Sequence, residues 1–190
     1  MNFSAVILAG GKSSRMGRDK TWLEVGGQSL LARQIGVVRE SGAVEVFISG
    51  RANAGYSGFG CRVLRDNFPD AGPLAGIERA LDAAQSPLLL VLAVDLPEMS
   101  AELLRRLSSG CSETCGAVPK LAGRIEPLVA CYPKAAQPLA ETLLRAGESA
   151  VAGFAKQCVQ SSLARFVDLP ASKTIFFANW NSPADLPCTA

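Results

Sequence analysis

The sequence has 190 residues, 48% of them apolar, and a formal net charge of +2. This length predicts a single domain, residues 1–190, with a sizeable core. No apolar run approaches the ~18 residues of a membrane-spanning helix, and the amino terminus lacks the pattern of a signal peptide. We therefore expect a cytoplasmic protein that has neither a membrane nor nucleic acid as a partner.

Two residue types narrow the chemistry further. The chain contains no histidine, which excludes histidine-based triads and general bases. Its six cysteines are spread along the chain without a Cys-x-x-Cys pair, so we expect reduced thiols and no zinc site. Chemistry must then rest on carboxylates, lysine, arginine, hydroxyl groups or a metal ion.

The first predicted strand, Ala5 to Ala9, runs into a glycine-rich basic loop. Gly10 and Gly11 lack a Cβ, so the backbone there can adopt positive φ and lie close to a ligand. Residues 1–20 carry a net charge of +3, whereas the remainder carries −1. The cations of the loop are Lys12, Arg15, Arg18 and Lys20. Exposed backbone N–H groups beside cations bind anions, which favours a phosphate site over a merely solvated loop. The spacing matches neither the P-loop nor the dinucleotide fingerprint.

Strand-like and helix-like patterns alternate after this loop. A short extended piece with a Gly-Gly turn at 22–27 precedes a helix capped by Ser29, and further helices are predicted to begin near Pro73 and Ser100. Strands are predicted at 44–48, 61–64 and 88–94. In the less regular second half, strands are predicted at 117–118, 128–131, 166–167 and 175–177, and helices at 135–145 and 149–158.

This alternation predicts an α/β fold, a Rossmann-like, mostly parallel sheet with helices on both faces. Ligands of such sheets bind beyond the carboxyl ends of the strands. The glycine loop follows the first strand and Asp95 follows a central one, so we expect both at that edge.

Asp95 closes the apolar run 88–94. A carboxylate at the end of a buried strand is costly unless it is paired, hydrogen-bonded or bound to a cation. Beside a triphosphate, Mg²⁺ is the natural cation, since it takes one or two carboxylates plus phosphate oxygens. The alternative is a cap that supports Ser100. Before the second helix, Gly72 permits a tight turn and Pro73 suits a first helical position. Gly76 indicates either close approach to a ligand or simple packing.

The run Leu-Ala-Gly-Gly, four further residues and Met-Gly-x-Asp-Lys, at Leu8 to Lys20, resembles the signature of the molybdenum cofactor guanylyltransferases, the MobA type. The resemblance implies a nucleotidyltransferase fold like that of the nucleotide-diphospho-sugar transferases. It also implies that Arg15 and Lys20 neutralise phosphates and that Asp95 holds Mg²⁺. The nucleotide-binding residues it implies are Leu8, Ala9, Gly10, Gly11, Lys20, Ser49, Asp66, Gly72 and Asp95.

The chain departs from the family pattern after its second long strand. Many relatives have a nucleotide-contacting asparagine at this point, where this chain has the run Ile48-Ser49-Gly50-Arg51. Either Ser49 or a backbone group would have to replace that contact.

Two later stretches also resemble the family. The run 177–186 is similar to its Asn-x-Asn-Thr-Pro segment, with Ser182 in place of threonine. Asn179 and Asn181 could contact the second substrate or organise loops, and both interpretations stay open. At 124–128, Arg124 and Glu126 fit buried structural support at least as well as substrate contact.

The resemblance implies transfer of GMP from MgGTP to the phosphate of molybdopterin, with release of pyrophosphate and formation of the guanine dinucleotide cofactor. Cofactor-insertion proteins and molybdoenzymes would receive that product. Gly10-Gly11 favours guanine, because cytidylyl relatives tend to have Ala-Ala-Gly at this turn. The alternatives are a cytidylyltransferase for the same pterin, a cobinamide-phosphate guanylyltransferase, and a non-catalytic nucleotide- or cofactor-binding protein of the same fold.

Overall fold

An eight-stranded sheet forms the middle layer of the molecule, and helices cover both of its faces. The computed structural model describes residues 1–10, 20–51 and 55–180. The strands of this part of the chain are β1 (Ser4–Leu8), β2 (Glu24–Val25), β3 (Gln28–Ser29), β4 (Glu45–Ser49), β5 (Arg62–Leu64), β6 (Leu88–Ala93), β7 (Gly116–Leu121), β8 (Arg124–Ile125), β9 (Val129–Pro133) and β10 (Ala164–Leu169). The α-helices are α1 (Leu30–Glu40), α2 (Pro73–Ala83), α3 (Ala101–Ser109), α4 (Gln137–Arg145) and α5 (Val151–Gln160).

The strand order of the large sheet is β10-β7-β9-β6-β1-β4-β5, with β8 paired to β7. Strand β1 lies between β4 and β6 and is parallel to both, with Val6 opposite Phe47 and Val91. Strand β9 is antiparallel to β6 and β7, and β8 is antiparallel to β7. The prediction of a mostly parallel sheet is therefore confirmed. The carboxyl ends of β1, β4, β5 and β6 share one edge.

Each face of the sheet has its own hydrophobic core, because alternate residues of a strand point to opposite faces. Ile7 of β1 and Leu90 of β6 pack in one core with α1 and α3. Val6 and Val91 pack in the other core with α2, α4 and α5. All residues of β1 and β6 are buried, which explains their continuous apolar sequences.

Local sequence signals account for several boundaries. The Ser29 hydroxyl accepts a hydrogen bond from the Ala32 N–H at the start of α1 (3.2 Å), and the Ser100 hydroxyl accepts from the Leu103 N–H at α3 (3.3 Å). Gly26 and Gly27 both have positive φ in the turn between β2 and β3. These predictions are confirmed.

Other predictions were wrong or shifted. The predicted strand at 175–177 is part of a 3-10 helix, Ala171–Phe177, whose Phe177 is buried. Three apolar residues in a row fit either conformation, so their periodicity could not decide. The helix predicted at 135–145 begins at Gln137, after a 3-10 turn at Lys134–Ala136.

Two expectations concern the molecule as a whole. The five cysteines within the described ranges are free thiols. In the same ranges, no helix has the length and apolarity to cross a bilayer.

Candidate nucleotide site

The residues that flank the glycine segment lie together beside β1. The Ala9 N–H donates to the carbonyl of Ser49 at the end of β4 (2.7 Å). The hydroxyl of Thr21, which is fully buried, donates to the Ala9 carbonyl (3.3 Å). The two ends of segment 10–20 are therefore tied together beside β1. The predicted site residues Gly11 and Arg15, and the side chain of Lys20, lie outside the described part of the chain.

Gly10 does not need glycine for its backbone conformation. Its φ is not in the left-handed region, contrary to the argument made from the sequence. A Cβ built on it would meet the Gly50 Cα at 3.7 Å, which is ordinary contact. Packing against the described residues therefore sets no requirement for glycine at this position.

The end of β4 is joined to the turn after β5 by a side-chain hydrogen bond. The Ser49 hydroxyl, which is buried, donates to Oδ1 of Asp66 at 3.3 Å. Gly76 of α2 closes over Ser49, since a Cβ at Gly76 would overlap the Ser49 hydroxyl and lie 3.1 Å from Leu8 Cδ2. Gly76 therefore allows α2 to pack closely against the end of β4. The Ser49 hydroxyl is directed at the Asp66 carboxylate.

Asp66 is half-buried and lies in an acidic environment. Burial raises the pKa of its carboxyl, the hydrogen bond from Ser49 lowers it, and the nearby charge of Glu78 raises it. Glu78 itself is buried in α2 and accepts hydrogen bonds from Asn67 Nδ2 (3.2 Å) and Gln137 Nε2 (2.8 Å). The Asp66-Asn67 turn is thus held against α2, and the Asp66 carboxylate is presented as a hydrogen-bond acceptor.

Gly72 fixes the start of α2. Its φ of 76° and ψ of −163° fall in a region that is essentially restricted to glycine. Pro73 occupies the first turn, and no side chain caps the helix. Pro73 has no N–H and the Ala75 N–H donates to the Gly72 carbonyl (3.1 Å), so the Leu74 N–H is the group at this helix start that can bind an anion.

Asp95 lies in the turn that follows β6 and is half-buried. The Val94 N–H donates to the Leu8 carbonyl (3.2 Å), so this turn and the end of β1 are adjacent. Because Ser100 caps α3 with its own hydroxyl, Asp95 is not needed for that cap.

The donor set was tested against magnesium. In the described part of the chain, no group of three or more acidic or thiol side chains is arranged as a complete metal site. A single carboxylate beside a phosphate-binding edge suits Mg²⁺, which obtains its other ligands from phosphate and water. Asp95 therefore fits a metal that enters with the nucleotide.

The late segment of the chain returns to the Asp95 turn. The N–H of Trp180, a buried residue, donates to the Asp95 carbonyl at 3.0 Å. Asn179, the residue before it, is exposed, whereas Asn181 lies outside the described residues. Seven predicted residues thus end strands or follow them at one edge of the sheet: Leu8, Ala9, Gly10, Ser49, Asp66, Gly72 and Asp95. Asn179 is brought to that edge through Trp180.

Arg124 and Glu126 form an ion pair at 2.7 Å on the strand pair β7–β8. Arg124 is largely exposed, so the pair is not the buried support that was one interpretation of the sequence. Exposed pairs of this kind contribute little to stability.

The sequence argument overlooked two buried polar residues, Gln34 and Glu78. Each interrupts the apolar stripe of an otherwise amphipathic helix, α1 and α2 respectively. A polar residue at a core-facing helical position is the signal that could have identified them. Trp180 and Thr21 carried no comparable signal, because the bond that places Trp180 comes from its backbone and a buried threonine is common in apolar surroundings.

The comparison with known proteins gives concordant results. Residues 5–161 match the MobA-like NTP transferase domain. A probable molybdenum cofactor guanylyltransferase from Opitutus terrae is 41% identical over 185 residues, 96% of this chain and 92% of that protein.

Two solved structures share the fold. Molybdopterin-guanine dinucleotide biosynthesis protein A from Archaeoglobus fulgidus has a TM-score of 0.77 and 23% identity, with 97% of this chain and 94% of that chain covered. The 2-C-methyl-D-erythritol 4-phosphate cytidylyltransferase from Thermus thermophilus has a TM-score of 0.69 and 23% identity, with 95% and 93% covered.

Proposed function

The chain belongs to the MobA-like NTP transferase family, and on that premise we propose that it transfers GMP from GTP to molybdopterin, its molybdenum-bearing form included. The relative from Opitutus terrae, with 41% identity over 96% of this chain, carries the name of that activity. The products are pyrophosphate and the guanine dinucleotide form of the cofactor.

One observation supports the proposal most strongly. Hydrogen bonds from the Ala9 N–H to the Ser49 carbonyl and from the Val94 N–H to the Leu8 carbonyl draw three strand ends together. The glycine segment, the Ser49–Asp66 pair and the Asp95 turn therefore share one edge. A nucleotide needs this combination of a backbone approach, a base acceptor and a carboxylate for its metal.

The base is the part of the nucleotide that the site must select. Guanine offers an N1–H and an N2 amino group as neighbouring donors, and the Asp66 carboxylate and the backbone near Leu8 to Gly10 offer acceptors. Cytosine lacks that donor edge. An acceptor left unpaired with the wrong base costs about 1–3 kcal/mol, so selection follows from mismatched hydrogen bonding.

The transfer itself requires positioning and charge neutralisation. An anionic phosphate oxygen of the pterin attacks the α-phosphorus, and the bond from that phosphorus to pyrophosphate breaks. The attacking phosphate is already ionised, so no protein base is needed. Arg15 and Lys20 would neutralise the triphosphate charge, as cations do in other phosphoryl transfers.

Asp95 would hold Mg²⁺. When bound, the metal neutralises phosphate charge and orients the triphosphate. Asn179 and Asn181 would face the pterin from the segment that Trp180 ties to the Asp95 turn. Cofactor-insertion proteins and molybdoenzymes would then receive the dinucleotide.

Base choice is the test of this function. With molybdopterin as acceptor, GTP should be used in preference to CTP and ATP by at least about tenfold in kcat/KM, the equivalent of ~1.4 kcal/mol. The measurement is pyrophosphate release, with the dinucleotide product identified by mass spectrometry. Equal turnover of CTP and GTP would favour the cytidylyltransferase. Turnover with cobinamide phosphate and not with molybdopterin would favour the cobinamide-phosphate guanylyltransferase. No turnover with any combination of nucleotide and acceptor would favour a non-catalytic binding protein.

Gly10→Ala is the matched variant for this test. Among the described residues, the nearest neighbour of the added methyl group is Gly50 Cα at 3.7 Å, which is ordinary contact. The variant should keep the melting temperature of the wild type and lose part of its preference for GTP, because the methyl group pushes the base from the backbone. An unchanged GTP preference would remove the Gly10 backbone from base recognition.

A further inference from the structure

The turn that carries Asp95 is held by its backbone from both sides. Three consecutive carbonyls accept hydrogen bonds from distant segments: Asp95 from the Trp180 N–H at 3.0 Å, Leu96 from Gln34 Nε2 at 2.5 Å, and Pro97 from Arg33 Nε at 2.5 Å. Gln34 and Arg33 are adjacent residues of α1. This helix packs beneath the turn and thereby controls where the turn sits.

Gln34 is an unusual residue for its location. It is fully buried in the core-facing stripe of α1, between Leu30, Leu31, Ile35 and Val38. A buried amide is costly unless it is hydrogen-bonded, and the Gln34 Oε1 has no hydrogen-bond partner among the described residues. The Nε2 bond to the Leu96 carbonyl is therefore the hydrogen bond that compensates for burial of this amide.

We propose that Gln34, assisted by Arg33, is a positioning residue that sets the affinity of the Asp95 carboxylate for the metal of the nucleotide. The inference rests on the proposed function, in which Asp95 holds that metal. The carbonyl of Leu96 lies one residue beyond Asp95, so moving it re-aims the Asp95 side chain. A metal ligand that is off its optimum angle or distance binds more weakly, and partners outside the ligand shell commonly act this way.

The main variant is Gln34→Met, which keeps the length of the side chain and removes the donor. The control is Ser41→Ala, at the C-cap of the same helix. The Ser41 hydroxyl is also buried and also donates to a backbone carbonyl, that of Val38 at 2.7 Å. Ser41 lies beyond the carboxyl-terminal end of α1, whereas Gln34 lies near its middle. Both variants lose one buried hydrogen bond from a side chain to a carbonyl, and only the first loses one to the Asp95 turn.

The probe is Mn²⁺, followed by electron paramagnetic resonance in the presence of GTP and without acceptor, so that no turnover occurs. We expect the Mn²⁺ concentration for half-saturation to rise about tenfold in Gln34→Met, at the low end of the range for residues that support metal ligands. Ser41→Ala should match the wild type in Mn²⁺ affinity. In turnover assays, saturating Mg²⁺ should restore most of the kcat of Gln34→Met.

Three other results would decide against the proposal. If Gln34→Met and Ser41→Ala lower the melting temperature alike and leave Mn²⁺ affinity unchanged, while Asp95→Asn abolishes Mn²⁺ binding, Gln34 is only structural and the proposed function stands. If Asp95→Asn also leaves Mn²⁺ binding unchanged, the metal assignment itself fails. If Gln34→Met does not fold, Arg33→Lys and Arg33→Met replace it. Only the methionine variant should then lose affinity, and equal affinities would overturn the inference.

Discussion

Two acidic residues of the candidate site, Asp66 and Asp95, are supported in different ways. Asp66 is held through its carboxylate, which accepts a hydrogen bond from the Ser49 hydroxyl and is influenced by the charge of Glu78. The turn of Asp95 is held through its main chain, by bonds from Gln34, Arg33 and Trp180 to three consecutive carbonyls. The contacts of Asp66 alter the pKa of its carboxyl group. The contacts of the Asp95 turn fix the position of its main chain.

The difference fits the two proposed tasks. A residue that reads a base needs a defined proton state and a defined lone-pair direction, which a direct hydrogen bond supplies. A residue that holds Mg²⁺ needs a rigid position from which its carboxylate can reach the metal. Removal of the Ser49–Asp66 bond should therefore alter the choice of base and the pH dependence of GTP binding. Replacement of Asp95, the proposed metal ligand, should alter transfer at every pH.

Asp95→Asn should have the largest effect. The amide keeps the shape of the side chain and loses the charge that Mg²⁺ requires, so transfer should fall at least about a hundredfold, or ~2.7 kcal/mol of barrier. The measurement is pyrophosphate release over a Mg²⁺ titration.

The fold of this variant should be preserved, because the hydrogen bonds that Trp180, Gln34 and Arg33 donate to the turn go to main-chain carbonyls, which the substitution keeps. Circular dichroism and the melting temperature provide that check. Activity equal to the wild type at equal Mg²⁺ would leave Asp95 as a structural residue.

Lys20→Ala should come second. Lys20 begins the 3-10 helix Lys20–Trp22, next to the Thr21 bond that closes the glycine segment. Removal of its ammonium group should weaken GTP binding or slow transfer by at least about tenfold, or ~1.4 kcal/mol. The loss should be similar for all nucleotides, since every triphosphate carries the same charge.

Lys156→Ala is the matched control, because Lys156 is an exposed residue of α5, away from the strand ends of the site. It should retain wild-type kinetics. Unchanged kinetics in a folded Lys20→Ala protein would remove Lys20 from the phosphate site.

Local signals made much of the fold predictable. Ser29, Pro73 and Ser100 each mark a helix start through chemistry that involves only neighbouring residues. The continuous apolar sequence of β6 predicts a strand that is buried on both faces, and its residues do pack in the cores on the two sides of the sheet. By contrast, the run at 128–131 predicts a strand and carries no information about direction. The insertion of β9 antiparallel between β6 and β7 therefore could not be anticipated.

The site was predictable in its position and only partly in its contacts. Asp66 and Asp95 stand out because acidic residues in turns after strands tend to serve ligands. Their supports lie far away in sequence: Ser49 is 17 residues from Asp66, and Gln34 is 62 residues from Leu96. Such pairs depend on how the helices dock on the sheet, which one sequence does not reveal.

The smallest expected effect is that of Ser49→Ala. This variant tests the support of Asp66, the second of the two acidic residues compared above. In the proposed function an ionised Asp66 would accept hydrogen bonds from guanine, and a protonated Asp66 would lose part of that capacity. Burial raises the pKa of Asp66. As the pH is lowered, GTP affinity should therefore begin to fall at a higher pH than it would with an ordinary aspartate. The Ser49 bond lowers the pKa of Asp66, because it stabilises the charged form. Its removal should raise this pKa further and move the loss of affinity to still higher pH.

At neutral pH the loss should be a few-fold, about 1 kcal/mol for one hydrogen bond. The measurement is the GTP dissociation constant by calorimetry between about pH 4 and pH 7, the range in which shifted carboxyl groups titrate. Inosine triphosphate is the control ligand, because it lacks the N2 amino group and keeps the same triphosphate. Its affinity should depend less on Asp66 and respond less to the variant. Superimposable pH profiles of wild type and Ser49→Ala with GTP would show that the Ser49–Asp66 bond does not tune base recognition, and the two acids would then differ only in how their turns are held.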